Sequence, residues 1–221
     1  MVDWVKSVIF ATTKSHTMLE NKIFEDEILE VEPEQDWLVA EVPSRDISEQ
    51  LADLHSLKGA GFISMLKEIT LQRAFSPLEG ENNIYTTGST KEDDYENLLN
   101  AARKAVVHGY KVFILPNPKG IRTADFIFER KGVYRLYDLK TVSGKNSVDN
   151  RLKESIGQSN RIILNMAVDY SPRHLAMAIK RYFELNQNAL EVLIFKGSKI
   201  ISIIRKDTES FVFIRNFMMK Y

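Results

Sequence analysis

The chain has 221 residues, 44% of them hydrophobic, and its 30 basic and 30 acidic residues give no net charge. This length allows one large domain or two small ones, and the apolar fraction is sufficient for a buried core. The absence of cysteine excludes disulfide bonds, thiolate metal sites and a cysteine nucleophile. The apolar stretch at residues 8–11 is too short for a signal peptide or a membrane span. We therefore expect no targeting segment and no membrane contact.

The charge is unevenly distributed along the chain. Residues 1–88 contain 7 Lys+Arg and 16 Asp+Glu, whereas residues 89–221 contain 23 and 14. A basic segment of this kind is typical of proteins that contact nucleic acid, although two solvated surfaces that merely differ in charge give the same counts. With a linker predicted at residues 76–83, we divide the chain into an acidic N-terminal accessory domain at residues 1–80 and a basic domain at residues 89–221.

The acidic half gives weak structural patterns. Short apolar groups at residues 23–29 and 37–42 suggest strands or strand-and-helix pieces inside an acidic run. A helix is predicted after Asp46 or Ser48, either of which can cap it. The apolar positions of this helix are Leu51, Leu54 and Leu57. Gly59 and Gly61 are expected to mark its end.

The basic half gives clear patterns. A capping box at Ser89 opens a helix that ends before Gly109. Apolar periodicity predicts helices at residues 89–108, 148–158 and 172–185, and strands at residues 110–116, 124–128, 133–142, 161–166, 190–195 and 199–204. The resulting order, α-β-β-β-α-β-α-β-β, indicates an α/β fold with a mixed central sheet.

The predicted hairpin at residues 124–142 brings charged residues into apolar strands. Alternation along the second strand places Asp138 and Lys140 on the same face, and the turn can bring Asp125 beside Asp138. Two carboxylates can hold a divalent metal, and a nearby ammonium can stabilise charge on hydroxide or phosphate. This pattern favours a metal-dependent phosphodiesterase. The alternative is a structural salt bridge between one of the acids and Lys140 or Arg122.

The order of elements and the motifs on them resemble the PD-(D/E)XK nuclease fold, with its αβββαβ core. They also resemble the C-terminal tRNA-nuclease domains of CdiA contact-dependent growth-inhibition toxins and related phage and polymorphic-toxin modules. The matching segments are residues 109–116, 124–126, 137–140 and 158–165. The resemblance covers about residues 92–205 and does not extend to residues 1–88.

The resemblance implies roles for five side chains. Asp125 and Asp138 would be metal-binding or catalytic acids, Lys140 the catalytic lysine and Gln158 an active-site glutamine. Glu96 on the first helix would be a third acidic ligand, although an ordinary solvated acid fits the same position. The implied cofactor is Mg²⁺ or Mn²⁺. If the substrate is RNA, its 2′-hydroxyl can be the nucleophile, and Lys140 and Gln158 then suffice without a metal.

Basic residues near the predicted site provide candidate phosphate contacts, although dispersed surface charge is an equally good interpretation. They are Arg122, Lys145, Arg151, Lys153 and Arg161. The resemblance implies tRNA as the substrate, an immunity protein as a partner, and action in the cytoplasm or in that of a target cell. The chemistry of the residues alone fits DNA equally well.

Other reaction classes are disfavoured. The four histidines stand singly without metal-ligand spacing, and no Walker loop, G-x-S-x-G motif or dinucleotide fingerprint is present. The alternative to an enzyme is a non-catalytic nucleic-acid-binding or antagonist protein that retained the fold. A further alternative is that the acidic first half folds over the basic part and acts as an intramolecular inhibitor.

Overall fold

The computed structural model describes residues 45–88, 94–118, 120–121, 123–144, 147–157 and 159–221. Within these residues the chain forms seven helices and eight strands. The helices are α1 (Ile47–Asp53), α2 (Gly59–Thr70), α3 (Tyr95–Val107), α4 (Val148–Glu154), α5 (Pro172–Leu185), α6 (Arg205–Glu209) and α7 (Phe213–Lys220). The strands are β1 (Ser76–Pro77), β2 (Ile84–Thr86), β3 (Lys111–Ile114), β4 (Phe126–Arg130), β5 (Val133–Val142), β6 (Arg161–Met166), β7 (Glu191–Lys196) and β8 (Lys199–Ile204).

The strands form one mixed sheet whose spatial order follows the chain order from β1 to β8. β3, β4 and β5 are an antiparallel meander, and β7 and β8 are an antiparallel hairpin. The parallel pairs are β2 with β3, β5 with β6, and β6 with β7. Parallel neighbours need a crossover connection, which α3, α4 and α5 supply in turn. The predicted α/β fold with a mixed sheet is confirmed.

Along the basic half, the observed elements follow the predicted order. β5, β6, β8 and α5 have the predicted bounds, and α3 ends at Val107, one residue before the predicted end at His108. The capping box at residues 89–92 lies outside the described residues. The sequence patterns did not predict α6 and α7, two short C-terminal helices that follow the last strand.

Two expectations for the acidic half are wrong. Gly59 and Gly61 do not end α1, which stops at Asp53; they lie in the first turn of α2. Gly59 has a φ of 57°, a conformation that glycine adopts at low cost, and it redirects the chain between the two helices. The predicted linker at residues 76–83 contains β1, which pairs with β2 at the edge of the sheet.

Helices cover both faces of the sheet. On one face, α3 packs on a cluster that includes Phe126, Phe128 and Tyr137. On the other face, α1 and α2 pack over β3 to β5, and α4, α5 and α7 pack over β5 to β8. The described part of the predicted accessory domain, residues 45–80, therefore shares a hydrophobic core with the strands of the basic half. No helix in the described ranges combines the length and apolar character needed to cross a membrane.

Candidate active site

The hairpin of β4 and β5 determines where the candidate acids lie. A two-residue turn joins the strands through Lys131 and Gly132, which have φ values of 54° and 80°. Positive φ at both positions is typical of a type I′ turn, whose twist matches that of paired strands. The turn places Phe126 opposite Tyr137. Asp125, which immediately precedes β4, therefore lies beside Asp138.

Asp125 is fixed against β5 by two hydrogen bonds. Its backbone N–H donates to the carbonyl oxygen of Tyr137 at 3.0 Å. Its Oδ2 accepts a hydrogen bond from the backbone N–H of Leu139 at 2.6 Å. The two bonds lie on either side of Asp138, so the backbone of β5 itself holds the two carboxyl groups together.

Lys140 completes the cluster. Its Nζ lies 3.0 Å from Oδ1 and 2.8 Å from Oδ2 of Asp138. The Asp138 side chain is 2% exposed and that of Lys140 is 15% exposed, while Asp125 is half-buried. The predicted meeting of these three groups is present in the structure. Solvent reaches the cluster at Asp125 and Lys140, with Asp138 beneath them.

The cluster lies between the two helical layers that cover one face of the sheet. Leu136 on β5 packs with α1 and α2, whereas Val142 packs with α4, α5 and α7. Side chains at even positions of β5 share this face, and Asp138 and Lys140 are the two positions between these apolar contacts. The charged residues therefore occupy the seam where one helical layer ends and the next begins.

The proximity of two carboxyl groups changes the acidity of Asp125. Burial, the neighbouring charge of Asp138 and a side-chain hydrogen bond with it raise the pKa of Asp125 to about 7. The hydrogen bond from Leu139 and the charge of Lys140 oppose this rise, and they only partly offset it. Near neutral pH, Asp125 therefore keeps its proton in part of the molecules, beside Asp138.

The raised pKa predicts that Asp125→Asn stabilises the protein at alkaline pH. The unfolded carboxyl, with an ordinary value of 3.8, loses its proton before the folded one. Ionisation therefore favours unfolding, and this cost is absent below about pH 4 and complete above about pH 7. We expect the variant to exceed wild type by about 2–4 kcal/mol above pH 7, since one pKa unit corresponds to about 1.4 kcal/mol. Urea unfolding at pH 4 and pH 8 measures the difference.

Asp53→Asn is the matched control for this measurement. Asp53 is half-exposed and pairs with Arg45 at the surface, so its replacement should change stability by about 0–1 kcal/mol at either pH. The expectation for Asp125 is wrong if the stabilities of the Asp125→Asn variant and the wild type run parallel from pH 4 to pH 8.

The other residues predicted for the catalytic site are not brought into this cluster by the described structure. Glu96 is exposed on α3, which covers the opposite face of the sheet from Asp138. Its negative charge is one of the causes that raise the pKa of Arg103. Gln158 lies outside the described residues. Among those described, no group of three or more Asp, Glu, His or Cys side chains is arranged to hold a metal ion.

The predicted phosphate contacts divide into three kinds. Arg122 and Lys145 lie outside the described residues. Lys153 is exposed on α4, and Arg151 on the same helix is 40% exposed and pairs with Glu154. Arg161 is 1% exposed. Its burial is inconsistent with the predicted phosphate contact, because a guanidinium beneath the surface cannot reach a polyanion.

Arg161 instead belongs to a polar network inside the core. Its Nη1 donates to Oε2 of Glu191 at 2.8 Å, and the Tyr137 hydroxyl donates to the same oxygen at 2.8 Å. Ser202 donates to the other carboxylate oxygen. The network lies on the face of the sheet opposite Asp138 and links β5, β6, β7 and β8.

Tyr182, a polar residue near Asp138, was not predicted from the sequence as a site residue. Tyr182 on α5 is 5% exposed and forms side-chain hydrogen bonds with Ser155 and Asn186. Burial and the charge of Asp138 raise the pKa of the Tyr182 hydroxyl. The sequence placed Tyr182 on the apolar face of its helix, a position that gives no sign of a polar neighbour across the seam.

Comparisons with known proteins add a distant similarity. No protein-family model matches the chain, and curated proteins give no significant match. Among solved structures, the chain is similar to the CdiA-CT/CdiI toxin and immunity complex from Burkholderia pseudomallei, with a TM-score of 0.38 and 20% identity. The match covers 52% of this chain and 91% of that chain. At this distance the similarity carries no argument about activity, which must be inferred from the site itself.

Proposed function

We propose that this protein is a nuclease that cleaves phosphodiester bonds, and that its active site consists of Asp125, Asp138 and Lys140. The observation that supports this most is the meeting of two carboxyl groups and one ammonium at a partly exposed seam. Burying like-charged carboxylates side by side destabilises a fold, and such costs are typical of functional sites. A salt bridge alone accounts for Asp138 and Lys140, but it leaves the adjacent Asp125 without a role.

Each residue has a distinct part in the proposed reaction. Asp125, with its pKa near 7, can accept a proton from the attacking hydroxyl at physiological pH. Lys140 stabilises negative charge on the phosphate as the new O–P bond forms and the O–P bond to the leaving oxygen breaks, and the leaving oxygen takes up a proton from solvent. Asp138 holds the Lys140 ammonium at the site through its 2.8 Å contact.

The same two acids fit a divalent cation. Carboxylate oxygens are the ligands that Mg²⁺ and Mn²⁺ prefer, and a cation would relieve the repulsion between Asp125 and Asp138. If a metal is bound, we propose that Asp125 and Asp138 would hold it; Asp125 would then serve as a ligand instead of the proton acceptor, and Lys140 would contact the substrate instead of Asp138. When bound, such an ion supplies Lewis-acid activation of water and neutralises phosphate charge.

The substrate that we propose is RNA, specifically tRNA in a toxin-like context. This choice follows from the resemblance of the sequence motifs, since the three side chains suit RNA and DNA alike. DNA cleavage by the same site is the second candidate. In both cases, the positive charge carried by residues 89–221 favours binding of a polyanion.

The experiment that tests this function incubates the protein with total RNA, purified tRNA and plasmid DNA, with and without EDTA. Cleavage of tRNA that Asp138→Asn abolishes is the expected result. If only DNA is cleaved, the assignment of the site stands and the proposed RNA substrate is wrong. Activity that persists in EDTA would refute the proposed metal requirement, but not the role of Asp125 and Asp138. A folded wild type that cleaves none of the three would support the non-catalytic alternative.

Metal binding has a prediction that does not depend on cleavage. Because Mn²⁺ must displace the proton held by Asp125, its affinity should rise by about tenfold per pH unit below the pKa of about 7. Isothermal titration at pH 6 and pH 8 should show tighter binding and less proton release at pH 8. Binding should disappear in Asp125→Asn and persist in Asp53→Asn. An affinity that does not change with pH would contradict the assignment of Asp125 as a ligand.

A further inference from the structure

Among the residues that the structure describes, β8 is the outermost strand of the sheet, and its free edge is unusually apolar. It is the last strand of the sheet, it is six residues long, and four of those residues are isoleucine. The opposite edge strand, β1, has two residues and contains Pro77, which cannot donate a ladder hydrogen bond. Short edges with proline resist pairing, whereas a long β-branched edge is a template for another strand. β8 is therefore the edge suited to accept a partner.

A basic groove runs beside this edge. His108, Lys199, Ser202 and Lys220 contribute to its lining. Lys199 and Lys220 are both exposed, and neither has an ion-pair partner in the part of the chain that the structure describes. The surrounding segment, residues 196–221, contains six Lys or Arg and two acidic residues. The groove therefore favours an acidic strand over a basic or neutral one.

The chain itself contains a segment with this chemistry. Residues 20–41, outside the described residues, contain nine acidic residues and a single lysine. Within them, residues 27–32 read Glu-Ile-Leu-Glu-Val-Glu, and Pro33 follows. In an extended strand, Glu30 and Glu32 would share one face with Ile28, while Leu29 and Val31 would share the other face with Glu27. The segment has the same length as β8 and would present two neighbouring carboxylates on one face.

The intervening chain is long enough to reach the groove. Between residue 33 and the start of the described chain at residue 45 there are eleven residues, which can span up to about 37 Å when extended. α1 packs over β3 to β5. The five strand spacings from β3 to β8 amount to about 24 Å at about 4.8 Å each.

We propose that residues 27–32 pair with β8 as an added strand, with Glu30 and Glu32 facing Lys199 and Lys220. The pairing covers the isoleucine-rich edge and neutralises the groove. It does not depend on nuclease activity, because the groove and the Asp125 cluster use no residue in common. It ties the acidic half of the chain to the last strand of the sheet.

Cross-linking tests the proposed position directly, because the chain has no native cysteine. One variant carries Leu29→Cys with Ile204→Cys on β8, and the matched control carries Leu29→Cys with Ser76→Cys on β1. A short bismaleimide should give an intramolecular cross-link in the first variant and little in the second. Equal yields in the two variants would overturn the proposal. Cross-links only between molecules would show instead that a second copy pairs with β8.

Hydrogen exchange with a charge swap tests the electrostatic part. In Glu30→Lys/Glu32→Lys, the amides of β8 should exchange about tenfold faster, equivalent to about 1.4 kcal/mol. Adding Lys199→Glu/Lys220→Glu to that variant should restore the slow exchange, while the amides of β4 and β5 should not change in either variant. Exchange of β8 that is the same in all variants, or that is not restored by the swap, would contradict the proposed pairing.

Discussion

Asp138→Asn is expected to lower phosphodiester cleavage by about 1,000-fold, since it removes the carboxylate that positions Lys140 and contributes to the proposed metal site. The substitution preserves the shape of the side chain and one hydrogen-bond acceptor for the Lys140 ammonium. The loss should therefore appear in kcat as well as in kcat/KM. Single-turnover cleavage of labelled tRNA, with protein in excess, measures it without interference from product release.

The same substitution should not destabilise the protein. Asp138 is 2% exposed and its charge raises the pKa of Asp125. Replacing it with a neutral amide removes this repulsion, and we expect an equal or higher urea midpoint at pH 8. Loss of activity with retained stability is typical of residues that are present for function.

Lys140→Met should give a different combination of results from Asp138→Asn, and this difference separates the roles proposed for the two residues. Removing the ammonium should also lower cleavage, but it leaves the buried Asp138 carboxylate without the cation 2.8 Å away. We therefore expect this variant to lose stability, by about 3–5 kcal/mol for a buried pair broken at one side. Asp53→Asn, which alters only a surface pair with Arg45, should change neither quantity. A folded Asp138→Asn protein that cleaves within a few-fold of wild type would refute the proposed site.

The hairpin shows which parts of the site sequence reasoning can predict. The strands of residues 124–142 are close in sequence, the turn contains Gly132, and alternation places Asp138 and Lys140 on one face. These features are local, so their geometry follows from short-range rules. The position of Asp125 beside Asp138 could be predicted for the same reason.

Arg161 shows where such reasoning stops. A lone arginine after a polar loop suggested a surface position, but its partner Glu191 is 30 residues away on a neighbouring strand. A usable signal was present: both residues open runs of β-branched and aliphatic residues, and parallel neighbours place their first residues side by side. The observed register pairs Arg161 with Glu191. That inference needs the strand order, which composition and periodicity do not provide.

The seam itself is also a product of tertiary structure. Leu136 and Val142 look alike in the sequence, yet they pack under different helical layers. Asp138 and Lys140 lie on β5 between these two apolar contacts, where Asp138 is buried and Lys140 retains partial exposure. The acidic half contributes to the site in this way, because α1 and α2 form one of its two walls.

The Arg161–Glu191 pair should dominate the stability of the fold. Both side chains are almost completely buried, and Glu191 also accepts hydrogen bonds from Tyr137 and Ser202. Glu191→Gln removes the carboxylate charge that lies 2.8 Å from the buried guanidinium of Arg161. We expect a loss of about 3–5 kcal/mol in the free energy of unfolding, which guanidinium denaturation at pH 7 measures.

A double-mutant cycle separates the pair from its surroundings. Arg161→Met with Glu191→Gln should be less destabilised than the sum of the single variants, because the double variant contains no uncompensated buried charge. Tyr137→Phe, the matched control within the network, removes one hydrogen bond and should cost about 1 kcal/mol. Strictly additive effects would mean that the two side chains are not coupled. In that case, the network would not hold β5, β6 and β7 in register behind the candidate active site.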